Sequence, residues 1–284
     1  MSDFPIPKNV RPGDNFYTDG KQPGVANKFF FEPPAELVTL PSHGYLYKTV
    51  TSDPDIIENG SIKIRPMTVE EEKILATPRL VRSGQAIDMV FEACIKSKID
   101  PKELLSSDRV FLMLWLRSIS YGNIYKFTLT SPEPGNPVRF EYQVDLSNHP
   151  ITEFTDATIS EPFEYTFPKC KYTVFFRLPR GKDEIEIMKM GNAPKKMDDK
   201  DETIVKRLTS IIMKLTNPEG EEVPTIYYQS FVNQLMAGDA SSWRNKLQEI
   251  DCGVEDIKDI QVPGSDYVFD TPIPITESFF RVTE

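Results

Sequence analysis

The stretch Ser61-Ile-Lys-Ile-Arg-Pro-Met-Thr-Val-Glu-Glu-Glu-Lys-Ile-Leu75 changes over a short distance from a strand-like pattern to a helical one. Apolar and basic residues alternate over residues 62–65, which is typical of a strand with one solvated face. Pro66 interrupts that strand, and Thr68 and Glu71 have the spacing of a capping box at a helix N-terminus. The stretch therefore predicts a strand that passes directly into a helix.

Three consecutive carboxylates, Glu70, Glu71 and Glu72, fall in the first turn of the predicted helix. The helix dipole favours negative charge at this position, so the carboxylates need no catalytic explanation. We interpret all three as a solvated helix start.

The composition favours a globular protein whose partners are other proteins. The chain has 284 residues, of which 39% are hydrophobic, and its 33 basic and 43 acidic residues give a net charge of −10. Sequence-independent nucleic-acid binding needs clustered Lys and Arg, so we expect no nucleic-acid partner. No segment approaches the roughly 18 apolar residues of a membrane span, and no signal peptide is recognisable.

The three cysteines, Cys94, Cys170 and Cys252, are widely spaced and form no Cys-x-x-Cys pair. This pattern indicates neither a disulfide framework nor a zinc site, and we expect a reducing compartment, no metal and no cofactor. A Cys-His nucleophile would have to use Cys94 or Cys252, which fall at predicted core or helix-end positions. None of the carboxylates is marked as a catalytic pair, so the sequence predicts no catalytic residue.

Residues 1–36 are predicted to form an extended arm. They contain six prolines and no helical periodicity. The arm has more aromatic residues than a linker needs, so we expect it to lie along a partner or along the chain's own body, with simple disorder as the alternative. The candidate partner-binding residues are Phe4, Phe16, Tyr17, Phe29, Phe30 and Phe31.

Residues 37–190 predict an α+β core domain that opens with a strand-helix block. Val110–Leu116 is a continuous apolar run, which covers every face of a helix. It therefore predicts a helix that is buried on all sides at the centre of the domain. Alternating apolar residues then predict a central antiparallel sheet of about four strands. These strands are expected at residues 125–129, 139–146, 163–167 and 172–178.

Residues 191–284 predict a helical part with an extended tail. A linker at residues 191–200 precedes a helix that begins at Asp201 and carries apolar residues as far as Leu215. Two further helices are expected, and the tail has possible strands at residues 260–262 and 279–282. Whether the linker separates two domains or two layers of one domain is open at this point.

Five groups of residues occur in a characteristic order along the chain. They are Pro41 with Gly44 and Tyr47; Arg65, Pro66, Met67 and Thr68 with Glu71; Tyr121, Gly122 and Asn123; Arg177 with Asp183; and Phe279 with Phe280. Taken together, they resemble the baseplate hub protein family of T-even-type contractile-tailed bacteriophages. The resemblance covers roughly residues 37–281 and leaves the arm outside.

The resemblance implies a non-enzymatic structural component of the tail baseplate hub that acts in tail and baseplate assembly. The implied partners are hub, tube-initiator or tape-measure proteins in an oligomeric assembly. The implied location is the virion tail baseplate, after assembly in the host cytoplasm. Two alternatives stay open: an assembly chaperone for the tape-measure protein or a hub subunit, absent from the mature virion, and a cell-wall hydrolase.

One departure from the family pattern concerns the predicted hairpin. Some relatives carry a Cys-Pro-x-Cys-Gly knuckle there, whereas this chain has Ser131-Pro-Glu-Pro-Gly135. Both thiolates are missing, so we do not extend zinc binding to this chain.

Overall fold

The computed structural model describes residues 33–191, 202–275 and 279–280, without the side chains of residues 189–191. The chain divides into two units, Met1–Pro33 and Pro34–Glu284, and every element below belongs to the second. The helices are α1 (Pro54–Asn59), α2 (Val69–Leu75), α3 (Pro78–Arg82), α4 (Gln85–Cys94), α5 (Ser106–Tyr121), α6 (Gly181–Gly191), α7 (Thr203–Ser210), α8 (Tyr228–Gln234) and α9 (Ala237–Ile250).

The strands are short and antiparallel, and together with the helices they confirm the α+β class. They are β1 (Glu36–Thr39), β2 (Ser61–Ile64), β3 (Ile124–Thr130), β4 (Arg139–Asp145), β5 (Ile151–Thr152), β6 (Phe163–Thr166), β7 (Thr173–Phe176), β8 (Ile212–Thr216), β9 (Gly253–Val254), β10 (Ile257–Gln261) and β11 (Val268–Thr271).

The strand-to-helix stretch is folded as its sequence predicts, except that Arg65, which the alternation places on the solvated face, is buried. β2 pairs with β1, and Ile62 and Ile64 are both fully buried. α2 begins after Thr68, which caps the helix and forms the capping box with Glu71. The chain therefore turns from sheet to helix within four residues, Arg65 to Thr68.

The four strands predicted between residues 125 and 178 all form, but they do not share one sheet. β3 and β4 make a separate two-stranded hairpin, while β6 and β7 are joined by β8 in a three-stranded sheet. The two sheets bury their apolar faces in different clusters: Tyr125 of β3 packs near Phe279, and Phe176 of β7 packs against Trp243. Alternation predicts which face of a strand is buried, but it does not identify the neighbouring strand.

The helix predicted from Asp201 to Leu215 is shorter than expected. α7 ends at Ser210, and the chain continues as strand β8 beside β7, with Leu215 opposite Val174. Apolar β-branched residues suit a strand as well as a helix, and pairing with β7 satisfies their backbone groups. Asp201 itself lies outside the described residues.

The C-terminal tail pairs differently from its prediction. β10 and β11 form a hairpin, which includes part of the expected strand at residues 260–262. Phe279 and Phe280 lie in a turn rather than in a strand, and residues 281–284 are outside the described part. Both phenylalanines are buried.

The described residues form three core clusters, and α5, the predicted central helix, contributes to two of them. The largest cluster packs β1 and β2 against α4 and α5, and it includes Cys94 at its centre. Burying each such aliphatic or aromatic side chain stabilises the fold by roughly 1.5–3 kcal/mol. The other two clusters cover the β6–β8 sheet and the β3–β4 hairpin.

Candidate functional site

The motif group Arg65–Thr68 with Glu71 forms a buried ion pair at the β2–α2 junction. Arg65 donates from Nη2 to Oε1 of Glu71 at 2.8 Å and from Nη1 to the carbonyl of Pro66 at 2.8 Å. Oε2 of Glu71 accepts from the backbone N–H of Thr68 at 2.7 Å and from its hydroxyl at 2.8 Å. Met67, between Pro66 and Thr68, donates its backbone N–H to the hydroxyl of Ser120 on α5 at 3.0 Å.

The prediction that all three carboxylates of α2 are solvated is wrong for Glu71. Its side chain is buried because it faces Arg65, whereas Glu70 and Glu72 are exposed. Burial alone would raise the pKa of Glu71, but the hydrogen bonds from Arg65 and Thr68 lower it to about 2. Glu71 therefore stays ionised and holds the junction together.

The β7–α6 junction repeats this arrangement with different residues. Arg177 donates from Nη1 and Nη2 to the two carboxylate oxygens of Asp183, each at 2.7 Å, and from Nη1 to the carbonyl of Leu178 at 3.1 Å. Asp183 also accepts from the backbone N–H of Arg180 at 2.8 Å. In both junctions an arginine directly follows a strand. It pairs with the carboxylate six residues later, which lies in the first turn of the next helix.

A third cluster is centred on Asp108, in the first turn of α5. Its carboxylate accepts from the hydroxyls of Ser42 and Tyr47 at 2.5 Å each, and from the N–H of Ser42 at 3.1 Å. Tyr47 in turn accepts from the N–H of Leu105 at 2.8 Å. Burial raises the pKa of Asp108 to about 6, although the hydrogen bonds from Ser42 and Tyr47 oppose the rise.

The turn that supplies Ser42 and Tyr47 requires a glycine at position 44. Gly44 has φ of 69°, and a Cβ there would lie 2.2 Å from the carbonyl oxygen of Ile56. The carbonyl of Pro41 accepts from the N–H of Phe154 at 3.0 Å. Pro41, Gly44 and Tyr47 therefore position one buried turn.

The two remaining motif groups, Tyr121–Asn123 and Phe279–Phe280, both contribute to the cluster that covers the β3–β4 hairpin. Tyr121 ends α5 and donates from its hydroxyl to Glu72 at 2.6 Å, and the following Gly122 and Asn123 are exposed. Phe279 stands edge-on to Phe280 and to Tyr125, with ring centroids 4.8 Å apart in both pairs. The turn at Gly122 and Asn123 is thus the part of the motif set that faces solvent.

One groove of the described surface has mainly apolar walls. It has a volume of about 530 Å³ and runs between the α3–α4 turn, α5, α6 and the segment around Ile275. Its apolar walls include Ile87, Val110, Met113, Ile185, Met188 and Phe280. Methionines adapt to differently shaped contacts, and apolar grooves of this kind are common at protein interfaces.

The cysteines are not activated. Burial raises the pKa of Cys94 to about 12, and burial together with the charge of Asp108 raises the pKa of Cys252. Both thiols are therefore protonated at neutral pH, and a protonated thiol is a poor nucleophile. Within residues 33–191, 202–275 and 279–280, no group of three or more His, Cys, Asp or Glu side chains could hold a metal ion.

One buried ion pair was missing from the sequence interpretation. Arg109 of α5 donates to Asp88 of α4 at 2.6 Å, and its guanidinium lies 5.2 Å from the ring of Phe91. Asp88 falls on the apolar face of α4 and is buried. The helical periodicity could therefore have predicted that this aspartate is buried. An acidic residue inside an apolar stripe indicates a buried partner.

The candidate arm residues lie outside the described part of the chain. They are Phe4, Phe16, Tyr17, Phe29, Phe30 and Phe31. Their role in binding stays a prediction.

None of the helices that the structure describes is long and apolar enough to cross a membrane.

A family model described as T4 bacteriophage base plate protein matches residues 44–251, which is well over half of the chain. The match includes the two arginine–carboxylate junctions and the turn at Tyr121, while Pro41 and the Phe279–Phe280 pair lie beyond its ends. No curated protein and no solved structure matches the chain significantly. The chain belongs to the T4 bacteriophage base plate protein family.

Proposed function

We propose that this protein acts at the baseplate hub, in tail and baseplate assembly, through contacts with other tail proteins and without an enzymatic reaction. The family match over residues 44–251 carries the proposal, because it indicates a structural component of a phage tail baseplate. Hub location and a role in assembly are the finer assignments that we add. They rest on the order of the motif residues described above.

The side-chain contacts support a role carried out by surfaces. The carboxylates of Glu71, Asp108 and Asp183 are all buried and hydrogen-bonded within the chain. Such groups fix the backbone but cannot reach a substrate. The surface that the structure describes has grooves and exposed turns. Such features suit protein binding better than catalysis.

We further propose that the partners are hub, tube-initiator or tape-measure proteins, and that the chain meets them in the host cytoplasm as part of an oligomeric assembly. The aromatic arm, residues 1–36, is the segment that we expect to lie along a partner. Aromatic side chains in a proline-rich segment gain much buried area while losing little chain entropy.

The first experiment is quantitative mass spectrometry of purified virions, with infected lysate as the reference. The proposal expects the protein at a fixed, low number of copies per tail, and arrested baseplates when its gene is not expressed. Absence from virions despite abundance in lysate would favour the chaperone alternative.

The second experiment removes Met1–Phe31. We expect the thermal transition of the body to stay within a few degrees and the yield of tails to fall at least tenfold. The matched variant is the full-length chain with the six arm aromatics changed to serine. It keeps the length of the arm and removes only its aromatic side chains. A truncated chain that does not fold would show that the arm belongs to the core.

A further inference from the structure

Arg117 is buried in the last turns of α5, close to the exposed motif turn. Arg117 is only 6% exposed, and its Nη1 donates to the carbonyl of Gly122 at 3.0 Å. The guanidinium lies 5.2 Å from the ring centre of Tyr121 and 5.7 Å from that of Tyr125. These contacts hold the side chain in place at the end of the helix.

Within the part of the chain that the structure describes, Arg117 differs from the other buried arginines in having no counter-charge. Arg65, Arg109 and Arg180 each contact a carboxylate at 2.8 Å or less. Among the residues that the structure describes, Arg117 forms no ion pair, and its buried Nε has no hydrogen-bond partner. Burial lowers the pKa of its guanidinium from the ordinary value, because no nearby anion offsets the lost solvation.

One nitrogen of this guanidinium is left for an anion. Nη1 is engaged with Gly122 and Nε is buried, so Nη2 is the nitrogen that has no hydrogen-bond partner among the described residues and is not fully buried. Its N–H can form a charge-assisted hydrogen bond with a carboxylate oxygen, which is stronger than a hydrogen bond between neutral groups. The neighbouring tyrosine rings exclude water, which strengthens the attraction to an arriving anion.

The surface beside Arg117 can be covered by another protein. Gly122, Asn123 and Ile124 are consecutive exposed residues, and Ile124 leaves 49% of its surface in solvent. Asn123 accepts from the hydroxyl of Ser118, while its Nδ2 donates to no described residue. The turn therefore offers an apolar contact and a spare donor next to an uncompensated cation.

We propose that Arg117 receives the carboxylate of an aspartate or glutamate from another tail protein, whose chain covers the turn Gly122–Ile124. The partner is a protein segment rather than a free anion, because a free anion would leave Ile124 exposed. The net charge of −10 also disfavours the accumulation of free anions around this chain. This inference rests on the proposed function and names one contact that the function would use.

The test places a photo-reactive p-benzoylphenylalanine at position 124 of the full-length protein during infection, followed by sequencing of the cross-linked peptides. We expect one peptide from another tail protein with Asp or Glu within a few residues of the cross-link. Adding Arg117→Lys, which keeps a charge but replaces the planar guanidinium donors by one flexible ammonium nitrogen, should lower the cross-link at least tenfold. Cross-links only within the chain, no cross-link, or an undiminished cross-link with Arg117→Lys would overturn the proposal.

Two controls separate the possible failures. The same probe at Val268, which is 48% exposed on β11, tests whether any exposed apolar position gives the same cross-link. Thermal unfolding of wild type and Arg117→Lys in sodium acetate and sodium chloride of equal ionic strength tests for free-anion binding. Acetate stabilisation that needs Arg117, without a cross-link, would overturn the assignment to a partner. A protein found in virions but lacking the position-124 cross-link would refute this inference while the proposed function stands.

Discussion

Glu71 and Asp108 are both buried carboxylates, yet their surroundings give them opposite electrostatic behaviour. Glu71, at the β2–α2 junction, faces the guanidinium of Arg65, and its pKa falls to about 2. Asp108, at the start of α5, is held by the hydroxyls of Ser42 and Tyr47, and its pKa rises to about 6. Hydrogen bonds from neutral groups do not offset the lost solvation of a carboxylate as a nearby cation does.

The difference has a consequence for stability. A carboxylate with a lowered pKa stabilises the fold in its charged form, whereas one with a raised pKa stabilises it more when protonated. The junction therefore depends on charge, while the Asp108 cluster depends on hydrogen-bond geometry. Three substitutions test this contrast.

The largest effect is expected for Glu71→Gln, which removes the buried carboxylate that pairs with Arg65. Breaking a buried ion pair on one side costs roughly 3–5 kcal/mol of unfolding free energy. Urea unfolding followed by circular dichroism measures this loss. The matched control is Glu70→Gln, one residue earlier and exposed in a surface pair with Lys73, for which we expect a change within about 0.5 kcal/mol. Equal effects at the two positions would contradict the assignment.

The second prediction compares wild type with Asp108→Asn from pH 4 to pH 7. The pKa of Asp108 is about 6 in the folded protein, above its ordinary value of 3.8, so its favourable share is complete below about pH 4 and is lost as pH rises through 6. The advantage of wild type over Asp108→Asn should therefore be largest near pH 4 and shrink by roughly 2–3 kcal/mol by pH 7.

Urea unfolding at half-unit pH steps gives both curves. Glu71 does not interfere, because its share is lost only as pH falls from about 4.5 towards 2, and it is present in both proteins. A gap that widens towards pH 7 would mean that Asp108 has an unrecognised cationic partner.

The smallest effect is expected at the second junction. Arg177→Lys keeps the positive charge beside Asp183 but replaces two parallel hydrogen bonds by one, which costs roughly 1–2 kcal/mol. Arg139→Lys on the exposed edge of β4 is the control and should be neutral. Unfolding free energies in urea distinguish the two, and an unchanged Arg177→Lys variant would show that the fork geometry of the second junction is not used.

Local patterns predicted the parts of the fold whose partners are near in sequence. Thr68 and Glu71 are three residues apart, and their capping box formed as expected. The β3–β4 hairpin and the strands β6 and β7 were also recognisable, because alternation and prolines specify strands and turns within a few residues. The resemblance carried by the motif residues gave the baseplate family, which the family match confirms.

Predictions failed where the deciding contact comes from elsewhere in the chain. Residues 212–216 became strand β8 because β7 offered backbone partners some forty residues earlier, which no helical periodicity reveals. Ser42 and Tyr47 contact Asp108 across more than sixty residues, so no local pattern predicted that this aspartate is buried and hydrogen-bonded. The same holds for Asp88 and Arg109 on two different helices.

The sequence by itself determined the α+β class, the junction at residues 61–75 and the order of motif residues, because these depend on short-range periodicity, capping and composition. Tertiary structure alone decided which strands share a sheet, which carboxylates are ionised and that Arg117 has no anion beside it among the described residues. Those properties depend on the solvation and charge of groups brought together by packing, and neither is encoded in the spacing of residues along the chain.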